Sequence, residues 1–223
     1  MSYRELYTEH LRVNFLKYTR EAFRFLPEMK KPKILDIGCG SGILSIELAR
    51  LTDGNIYAID VDQSLLDRFR GVINKENLAN RITLKRMDLI KNNFPDNYFD
   101  LIWEEGVVHI IGFKKSFIAC HRILKQGGYL VLGQAIKLME KNQAIVSDCG
   151  YELIKQINWP KGCWWYEFYE PLEIIIKEIY EGKRSNKFEN ISIIEEEIKW
   201  AKSNPNETDC AHYILQKKST RGK

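Results

Sequence analysis

The chain has 223 residues, a length that fits one domain with a sizeable core or one domain carrying a modest insertion. Its composition, 44% hydrophobic and 29% charged, is that of an ordinary globular protein. The formal net charge is only +4, and the clearest basic cluster, residues 217–223, is interpreted as a solvated terminus. We therefore do not expect a nucleic-acid partner, since nucleic-acid binders usually carry a clustered basic surface.

Cysteine usage and apolar runs predict the compartment. The five cysteines are scattered and form no C-x-x-C pair: Cys39, Cys120, Cys149, Cys163 and Cys210. This pattern predicts reduced thiols in a cytoplasmic protein without a structural zinc site, and no metal is expected. The N-terminus lacks an apolar run, and no stretch approaches the ~18 apolar residues of a membrane span, so neither secretion nor membrane spanning is predicted. The oligomeric state stays open between a monomer and a homodimer.

The first predicted element is an amphipathic helix over residues 3–25, ended by Pro27. Its apolar positions recur at steps of three and four: Tyr7, Leu11, Phe15, Tyr18 and Ala22. We interpret residues 1–27 as an N-terminal helical cap that covers the sheet. A lid over the following loop is the alternative.

A strand, a glycine turn and a helix start follow within about twenty residues. The strand begins at Lys33, the loop carries Gly38, Gly40 and Gly42, and residues 43–50 show helical spacing. This order predicts a nucleotide-type site at a helix N-terminus, because glycine lets the backbone turn sharply and approach a ligand.

Further strands alternate with helices along the chain. Strands are predicted at residues 55–60, 81–88, 98–103 and 129–133, and helices at about 64–77 and 113–125, the latter ending at the turn Gly127–Gly128. Alternation of this kind predicts an α/β fold with a parallel sheet covered on both faces. Ligands of such sheets bind beyond the carboxyl ends of the strands, where Asp60, Asp88 and Glu104 fall.

The pattern changes after the fifth strand. A helix is predicted over residues 138–148, a sixth strand at 150–157 and a seventh at 211–217. Between the last two lies an insertion, residues 158–209, with two helical patterns, the second opened by Ser192 and Glu195 at capping-box spacing. The whole chain, residues 1–223, is interpreted as one domain.

Five motifs in unbroken order resemble the class I S-adenosylmethionine-dependent methyltransferases. The resemblance covers about residues 30–135 and is closest to the ubiquinone and menaquinone C-methyltransferase-like branch, methyltransferase types 11 and 25. The motifs are ILDIGCGSG at 34–42, IDVD at 59–62, MD at 87–88, NFPDNYFD at 93–100 and RILKQGG at 122–128. The resemblance implies a Rossmann-like, seven-stranded, mostly parallel sheet whose last strand is antiparallel.

The resemblance also implies a cofactor, S-adenosyl-L-methionine, with S-adenosyl-L-homocysteine as its product. Asp36 and the loop glycines Gly38, Gly40 and Gly42 would approach the methionine and ribose part, where a carboxylate suits the methionine ammonium. Residues 30–135 would then form the cofactor-binding core.

Three further segments complete the implied cofactor site. Asp60 would accept hydrogen bonds from the ribose hydroxyls, and Val61 would pack on the adenine face. The adenine amino edge would meet three consecutive residues, Met87, Asp88 and Leu89. For each acid the alternative is to cap the helix that follows its strand, and this alternative is preferred for Asp62.

Glu104, Glu105 and His109 follow the fourth strand, where the resemblance implies cofactor and substrate contacts. Glu104 is assigned to the cofactor and, with His109, to acid–base catalysis, because an imidazole titrates near neutrality. Glu105 and His109 are assigned to the substrate pocket. A packed structural role remains the alternative for His109, and His212 has no evident partner.

Aromatic residues crowd the start of the insertion. In the family such insertions shape the substrate pocket, so four of them are assigned as pocket walls: Trp164, Trp165, Tyr166 and Tyr169. The alternative is a small satellite core, completed by Trp159 and Phe168, that anchors the insertion.

The predicted function is methyl transfer from S-adenosylmethionine to a small-molecule acceptor by in-line displacement. The alternatives are an RNA or protein methyltransferase and a non-catalytic S-adenosylmethionine-binding regulatory module. A nicotinamide dehydrogenase is disfavoured, because the loop lacks the usual G-x-G-x-x-G spacing. The identity of the acceptor, and whether its reacting atom is N, O, S or C, stays open.

Overall fold

The structure is a computed structural model that describes residues 10–186 and 190–219. Its strands are β1 (Lys33–Ile37), β2 (Asn55–Asp60), β3 (Ile82–Arg86), β4 (Phe99–Glu105), β5 (Leu124–Ala135), β6 (Tyr151–Asn158) and β7 (Cys210–Lys217). They form one sheet in the order β3-β2-β1-β4-β5-β7-β6. β7 runs antiparallel to β5 and β6, and the other pairs are parallel. The predicted fold class is therefore confirmed.

Helices cover both faces of this sheet. They are α1 (Leu16–Phe23), α2 (Ile43–Leu51), α3 (Gln63–Lys75), α4 (Val108–Ile111), α5 (Phe113–Ile123), α6 (Ile136–Lys141), α7 (Gln143–Asp148), α8 (Glu170–Tyr180) and α9 (Ile191–Ser203). A π-helical turn spans Trp165–Tyr169, and 3₁₀ turns span Val13–Phe15, Leu89–Lys91 and Pro205–Glu207. Across the described ranges, no helix has the length and apolar character that a membrane crossing needs.

The N-terminal helix was predicted as one element over residues 3–25. Within the described part, residues 10–12 are helical, a 3₁₀ turn follows, and α1 ends at Phe23. Tyr7, the first apolar position of the predicted stripe, lies outside the described residues. The later positions Phe15, Tyr18 and Ala22 are buried, as the spacing predicted.

The junction of α5 and β5 differs from the prediction. The helix ends at Ile123 and the strand begins directly at Leu124, so the predicted turn Gly127–Gly128 lies inside β5. There the pairing with β4 shifts register between Leu124 and Tyr129. The buried Lys217 of β7 donates to the carbonyl oxygens of His121 and Leu124, both at 2.7 Å. The carbonyl groups at the end of a helix have no partner within the helix, and here the Lys217 ammonium supplies one. The chain therefore passes from α5 directly into β5 without an intervening loop.

A third apolar cluster lies outside the two layers that sandwich the sheet. It joins the N-terminal segment to the insertion, and its main members are Phe15, Tyr18, Trp159, Phe168, Leu172, Ile194 and Ile198, with Trp164 partly buried against them. We call this cluster, with α1, α8 and α9 around it, the aromatic cap. The predicted capping box of Ser192 and Glu195 is wrong: Asn190 is the residue before α9, and the Ser192 hydroxyl donates to its side chain at 2.6 Å.

Candidate functional site

The glycine loop leaves the carboxyl end of β1 and leads into α2. Gly38 and Gly42 have φ angles of 69° and 93°, in the left-handed region that favours glycine. A Cβ on Gly38 would overlap the Val107 side chain, and one on Gly42 would overlap the Phe69 ring, whereas Gly40 faces open space. The loop therefore presents bare backbone beside the carboxyl edge of the sheet.

Asp60, at the end of β2, holds this loop. One carboxylate oxygen accepts from the Gly40 amide and the other from the Asp62 amide, both at 2.9 Å. A carboxylate has about four acceptor positions, so each oxygen keeps room for another donor. Asp62 caps α3 by accepting from the Ser64 amide at 2.8 Å, which confirms the capping role preferred for it. Between the two acids, the Val61 side chain is 62% exposed.

Asp88 follows β3 and caps the 3₁₀ turn Leu89–Lys91, because its Oδ1 accepts from the Ile90 amide at 2.9 Å. This is the capping alternative considered for it. Leu89 is buried in the core and Met87 packs against the same cluster. Any contact of Leu89 with a ligand outside the core would therefore use its backbone.

Asp36, on β1, is a buried carboxyl whose exposed fraction is 1%. Its Oδ2 accepts from the Ser45 hydroxyl at 2.5 Å, whereas Oδ1 is buried and lacks a hydrogen-bond partner among the described residues. Burial raises the pKa of Asp36 to about 7; the Ser45 hydrogen bond opposes this shift, and the charges of Glu105 and Asp60 add to it.

Glu104, on β4, is buried next to β1 in the sheet, and its register partner is Ile37. Its Oε1 accepts from the amides of Val107, at 2.7 Å, and Val108. Its Oε2 is buried and has no partner in the described part of the chain. Burial raises the pKa of Glu104 to about 7, against the two amide hydrogen bonds. The candidate site thus holds two buried acids that each keep one unsatisfied oxygen.

Glu105, the next residue, has the opposite environment. Its Oε1 receives hydrogen bonds from Trp103 Nε1 at 2.8 Å, Thr19 Oγ1 at 3.2 Å and His212 Nε2 at 2.9 Å. Burial alone would raise the pKa of Glu105, but these hydrogen bonds, His212 first, lower it below the ordinary value. Glu105 is therefore an ionised carboxylate held by α1, β4 and β7.

The histidines do not all fall where the sequence suggested. His212, which had no evident partner, is fully buried and bonds to both Glu105 and Trp159. The Trp159 partner lies 53 residues away along the chain, so spacing gave no signal for it. His109 lies exposed on α4, so the packed alternative considered for it is wrong. His121 stands edge-on to the Tyr151 ring, with 5.5 Å between the ring centroids.

The aromatic run of the insertion forms the centre of the aromatic cap. The rings of Phe15 and Trp164 lie 4.5 Å apart between centroids, and those of Tyr18 and Trp159 lie 4.8 Å apart. The satellite core considered in the sequence analysis is thus present. Three of the predicted pocket walls, Trp164, Trp165 and Tyr169, are partly buried against it, and Tyr166 is 65% exposed.

Two open surface depressions lie away from these residues. One of about 590 Å³ is bordered by the segment from Ile90 to Phe94 and by α5, and one of about 360 Å³ by the end of α1 and by Pro32. Neither is lined by a predicted site residue. In residues 10–186 and 190–219, no three or more His, Cys, Asp or Glu side chains are grouped so that they could hold a metal ion.

Comparison with known proteins gives matches to the central part of the chain. Residues 35–132 match the family described as "Methyltransferase domain". The sterol 24-C-methyltransferase of Aspergillus fumigatus is 30% identical over 97 residues, which are 43% of this chain and 26% of that protein. The chain thus spans about a quarter of the length of the first curated relatives it matches.

Solved structures match over nearly the whole chain. The cyclase SpnF superposes with a TM-score of 0.77 at 17% identity, covering 91% of this chain and 80% of that one. Phosphoethanolamine N-methyltransferase 2 of Haemonchus contortus, solved with S-adenosyl-L-methionine, gives 0.71 at 18% identity, covering 92% of this chain and 53% of that one. At these identities the matches establish the fold alone. Residues 35–132 thus match the methyltransferase domain family that the sequence motifs resemble.

Proposed function

We propose that this protein transfers a methyl group from S-adenosylmethionine to a small-molecule acceptor. The observation that carries the proposal is the pair of buried, unpartnered carboxyl oxygens, Asp36 Oδ1 and Glu104 Oε2, beside the glycine loop. Buried polar atoms are normally satisfied by a partner. A ligand with positive charge and N–H donors would satisfy both, and S-adenosylmethionine carries an ammonium and a sulfonium.

The surrounding residues fit the rest of this cofactor. Asp60 retains acceptor positions for the ribose hydroxyls while it holds the loop through Gly40. Val61 offers an exposed apolar surface for the adenine face, and Asp88 keeps its second oxygen for the amino edge. When bound, the cofactor supplies a methyl group made electrophilic by the sulfonium. The residues of this chain bind it, align the acceptor and exclude water.

The acceptor would lie on the side of Glu105, His109 and the aromatic cap. His109 is exposed on α4, directly beyond β4, so its imidazole is free to reach an acceptor hydroxyl or amine. Glu104 is a second candidate base, because burial raises its pKa to about 7. Trp164, Trp165, Tyr166 and Tyr169 would form one wall.

Small molecules are the acceptor class we favour. The names of the relatives specify a sterol and phosphoethanolamine as their substrates. The net charge is only +4, and the sequence has no long run of basic residues of the kind that favours RNA binding. The fold by itself does not define the reaction, since one neighbour of the same fold is named a cyclase.

We further propose a cytoplasmic protein, either a monomer or a homodimer. All five cysteines are free thiols in the structure. Free thiols suit a reducing compartment, and three of them are buried: Cys39 and Cys120 against the sheet and Cys163 in the aromatic cap. Analytical ultracentrifugation would distinguish the two oligomeric states.

The test combines cofactor binding with turnover. Calorimetry should detect S-adenosylmethionine and S-adenosylhomocysteine binding to the wild type, and a library of amines, alcohols and thiols should contain an acceptor that drives formation of S-adenosylhomocysteine. Asp36→Asn should weaken binding about tenfold or more, because it removes the charge beside the ligand. Asp53→Asn is the matched control, since Asp53 precedes β2, away from the carboxyl ends of the strands, and accepts from the Lys31 amide at 2.7 Å.

The outcomes separate the candidates. Binding with turnover supports a methyltransferase. Binding without turnover across the library would favour a non-catalytic module, and no binding of either ligand would overturn the assignment.

A further inference from the structure

Glu105 is the centre of a hydrogen-bond network that reaches four separate parts of the chain. Thr19 comes from α1, Trp103 from β4, and His212 from β7. Through His212 the network extends to Trp159, at the start of the insertion, at 2.9 Å. Trp103 lies on the same strand as Glu105, whereas Thr19 and His212 are 86 and 107 residues away along the chain, so three elements together orient this carboxylate.

The network fixes the tautomer of His212. An indole N–H can only donate, so His212 Nδ1 must accept from Trp159 Nε1. The neutral imidazole then carries its hydrogen on Nε2, which donates to Glu105 Oε1 at 2.9 Å. His212 is fully buried and cannot itself reach a ligand. We therefore interpret His212 as a residue that orients the Glu105 carboxylate.

The three hydrogen bonds that Glu105 accepts all end on Oε1. Within the described part of the chain, no partner is recorded for Glu105 Oε2, and the side chain remains 25% exposed. Gly133 on β5 gives it room, because a Cβ there would lie 2.7 Å from Glu105 Cγ. One oxygen is thus held by three donors while the other is available.

Charge decides what this oxygen can bind. Because His212 Nδ1 accepts from Trp159, the contact between His212 and Glu105 is a hydrogen bond from a neutral imidazole and not an ion pair. Trp103 and Thr19 are neutral as well, and no lysine or arginine in residues 10–186 and 190–219 forms an ion pair with Glu105. The two basic residues that flank Thr19 on α1 are engaged elsewhere: Arg20 binds Glu47 and Lys17 binds Glu167. The negative charge of Glu105 is therefore left for an external cation.

We propose that Glu105 is the specificity-determining residue for a protonated amine, with His212 as the positioning residue that directs its free oxygen to that group. The ligand class is a primary or secondary ammonium, bound through N–H donation to Oε2. Identifying this ammonium as part of the methyl acceptor rests on the proposed function; the recognition of the ammonium itself does not.

The experiment uses pairs of probes with the same carbon skeleton. Saturation-transfer NMR and competition titrations would compare 2-phenylethylamine with 2-phenylethanol, butylamine with butanol and cyclohexylamine with cyclohexanol, on the full chain saturated with S-adenosylhomocysteine. We expect at least one amine to bind about tenfold or more tightly than its alcohol at neutral pH, and Glu105→Gln to abolish that preference. Equal binding of the paired probes, a preference that survives in Glu105→Gln, or no amine binding at all would overturn the proposal.

Two variants test His212 against a purely structural role. In His212→Gln the amide nitrogen can occupy the place of Nε2 and donate to Glu105, whereas in His212→Asn the shorter side chain reaches only the place of Nδ1 and Trp159. We expect the amine preference to be kept in His212→Gln and lost in His212→Asn, with comparable thermal stability. Equal loss in both variants would reduce His212 to a packing residue and contradict its positioning role.

Repeating the titrations without S-adenosylhomocysteine separates this proposal from the proposed function. An amine preference in a protein that binds neither S-adenosylmethionine nor S-adenosylhomocysteine would overturn the methyltransferase assignment and leave ammonium recognition intact. A protein that binds the cofactor and shows no amine preference would overturn ammonium recognition by Glu105 and leave the methyltransferase assignment intact.

Discussion

The glycine loop and the aromatic cap are held by different kinds of interaction. The loop is held by backbone hydrogen bonds: the amides of Gly38 and Cys39 donate to the Ile59 carbonyl at 2.9 and 3.0 Å. The aromatic cap is held by ring contacts between residues such as Phe15 and Trp164, 4.5 Å apart and distant in sequence. Hydrogen bonds fix direction, whereas apolar contacts depend mainly on buried area. Changes in one region should therefore leave the other largely intact.

The largest expected effect is on the stability of the aromatic cap. Leu172 is fully buried in it, so Leu172→Ala should lower the free energy of unfolding by about 2–5 kcal/mol, through lost burial and the cavity left behind. Urea unfolding followed by tryptophan fluorescence measures this. Ile174→Ala, at a position on the same helix that is 55% exposed, is the control and should change little. A loss of S-adenosylhomocysteine affinity in the folded Leu172→Ala protein would contradict the independence of the two regions.

On the loop side, Asp60→Ala should weaken S-adenosylhomocysteine binding by about a hundredfold. The substitution removes both the ribose acceptor and the anchor of the Gly40 amide, and each charge-assisted hydrogen bond contributes about 1.5–3 kcal/mol. Calorimetry gives the affinity. Asp62→Ala, two residues away, removes only the cap of α3 and should cost stability without affecting binding. Unchanged affinity in Asp60→Ala would refute the ribose assignment.

The pH dependence of cofactor binding should arise from two buried acids beside the glycine loop, Asp36 and Glu104. Asp36 and Glu104 both have pKa values raised to about 7, so the free folded protein holds protons that the unfolded chain releases. Their contribution to the free energy of unfolding is therefore full at low pH and decreases as the pH rises from about 4 to about 7. Binding of the ligand's ammonium favours the ionised acids, so affinity for S-adenosylhomocysteine should rise by up to about tenfold per pH unit for each coupled proton and level off above about pH 7.

Calorimetry in buffers of different ionisation enthalpy measures the released protons directly. Asp36→Asn combined with Glu104→Gln should flatten the pH dependence. Proton uptake on binding, or an affinity that falls as the pH rises, would contradict this prediction.

The smallest expected effect concerns the bond between α1 and the insertion. The Tyr18 hydroxyl donates to Glu167 at 2.5 Å, and Tyr18→Phe should lower the free energy of unfolding by about 1 kcal/mol. Tyr166→Phe, in the same cap but 65% exposed, should be neutral. Thermal unfolding compares the two variants. If Tyr18→Phe instead cost as much as Leu172→Ala, polar contacts rather than apolar burial would dominate the aromatic cap.

The sequence allowed prediction of features whose cause lies within a few residues. The strand, glycine turn and helix around Gly38 are adjacent in the chain, and Asp60 follows directly after its own strand. Asp62 could be assigned to a helix cap for the same reason. These elements use backbone geometry that particular residue types favour locally, so pattern and structure agree.

Features built from distant segments escaped prediction. His212 and Glu105 are separated by 107 residues, and their contact arises only because β7 inserts between β5 and β6. The α5–β5 junction could not be foreseen either, since the Lys217 ammonium that completes it lies 93 residues beyond Leu124. In both cases tertiary contacts decided between local alternatives. The start of α9 was missed for a local reason: the N-cap is Asn190, two residues before the predicted Ser192.

The position of β7 in the sheet also bears on synthesis. Among the described strands, β6 pairs with β7 alone, and β7 is the strand that follows the insertion in the chain. As the polypeptide leaves the ribosome, β6 therefore has no strand to pair with until residues 210–217 emerge. The aromatic residues that follow β6 are synthesised in this interval. Non-local pairing of this kind is slow and leaves apolar surface open to aggregation. A nascent chain stalled before β7 should consequently bind chaperones, whereas one that has completed β7 should not.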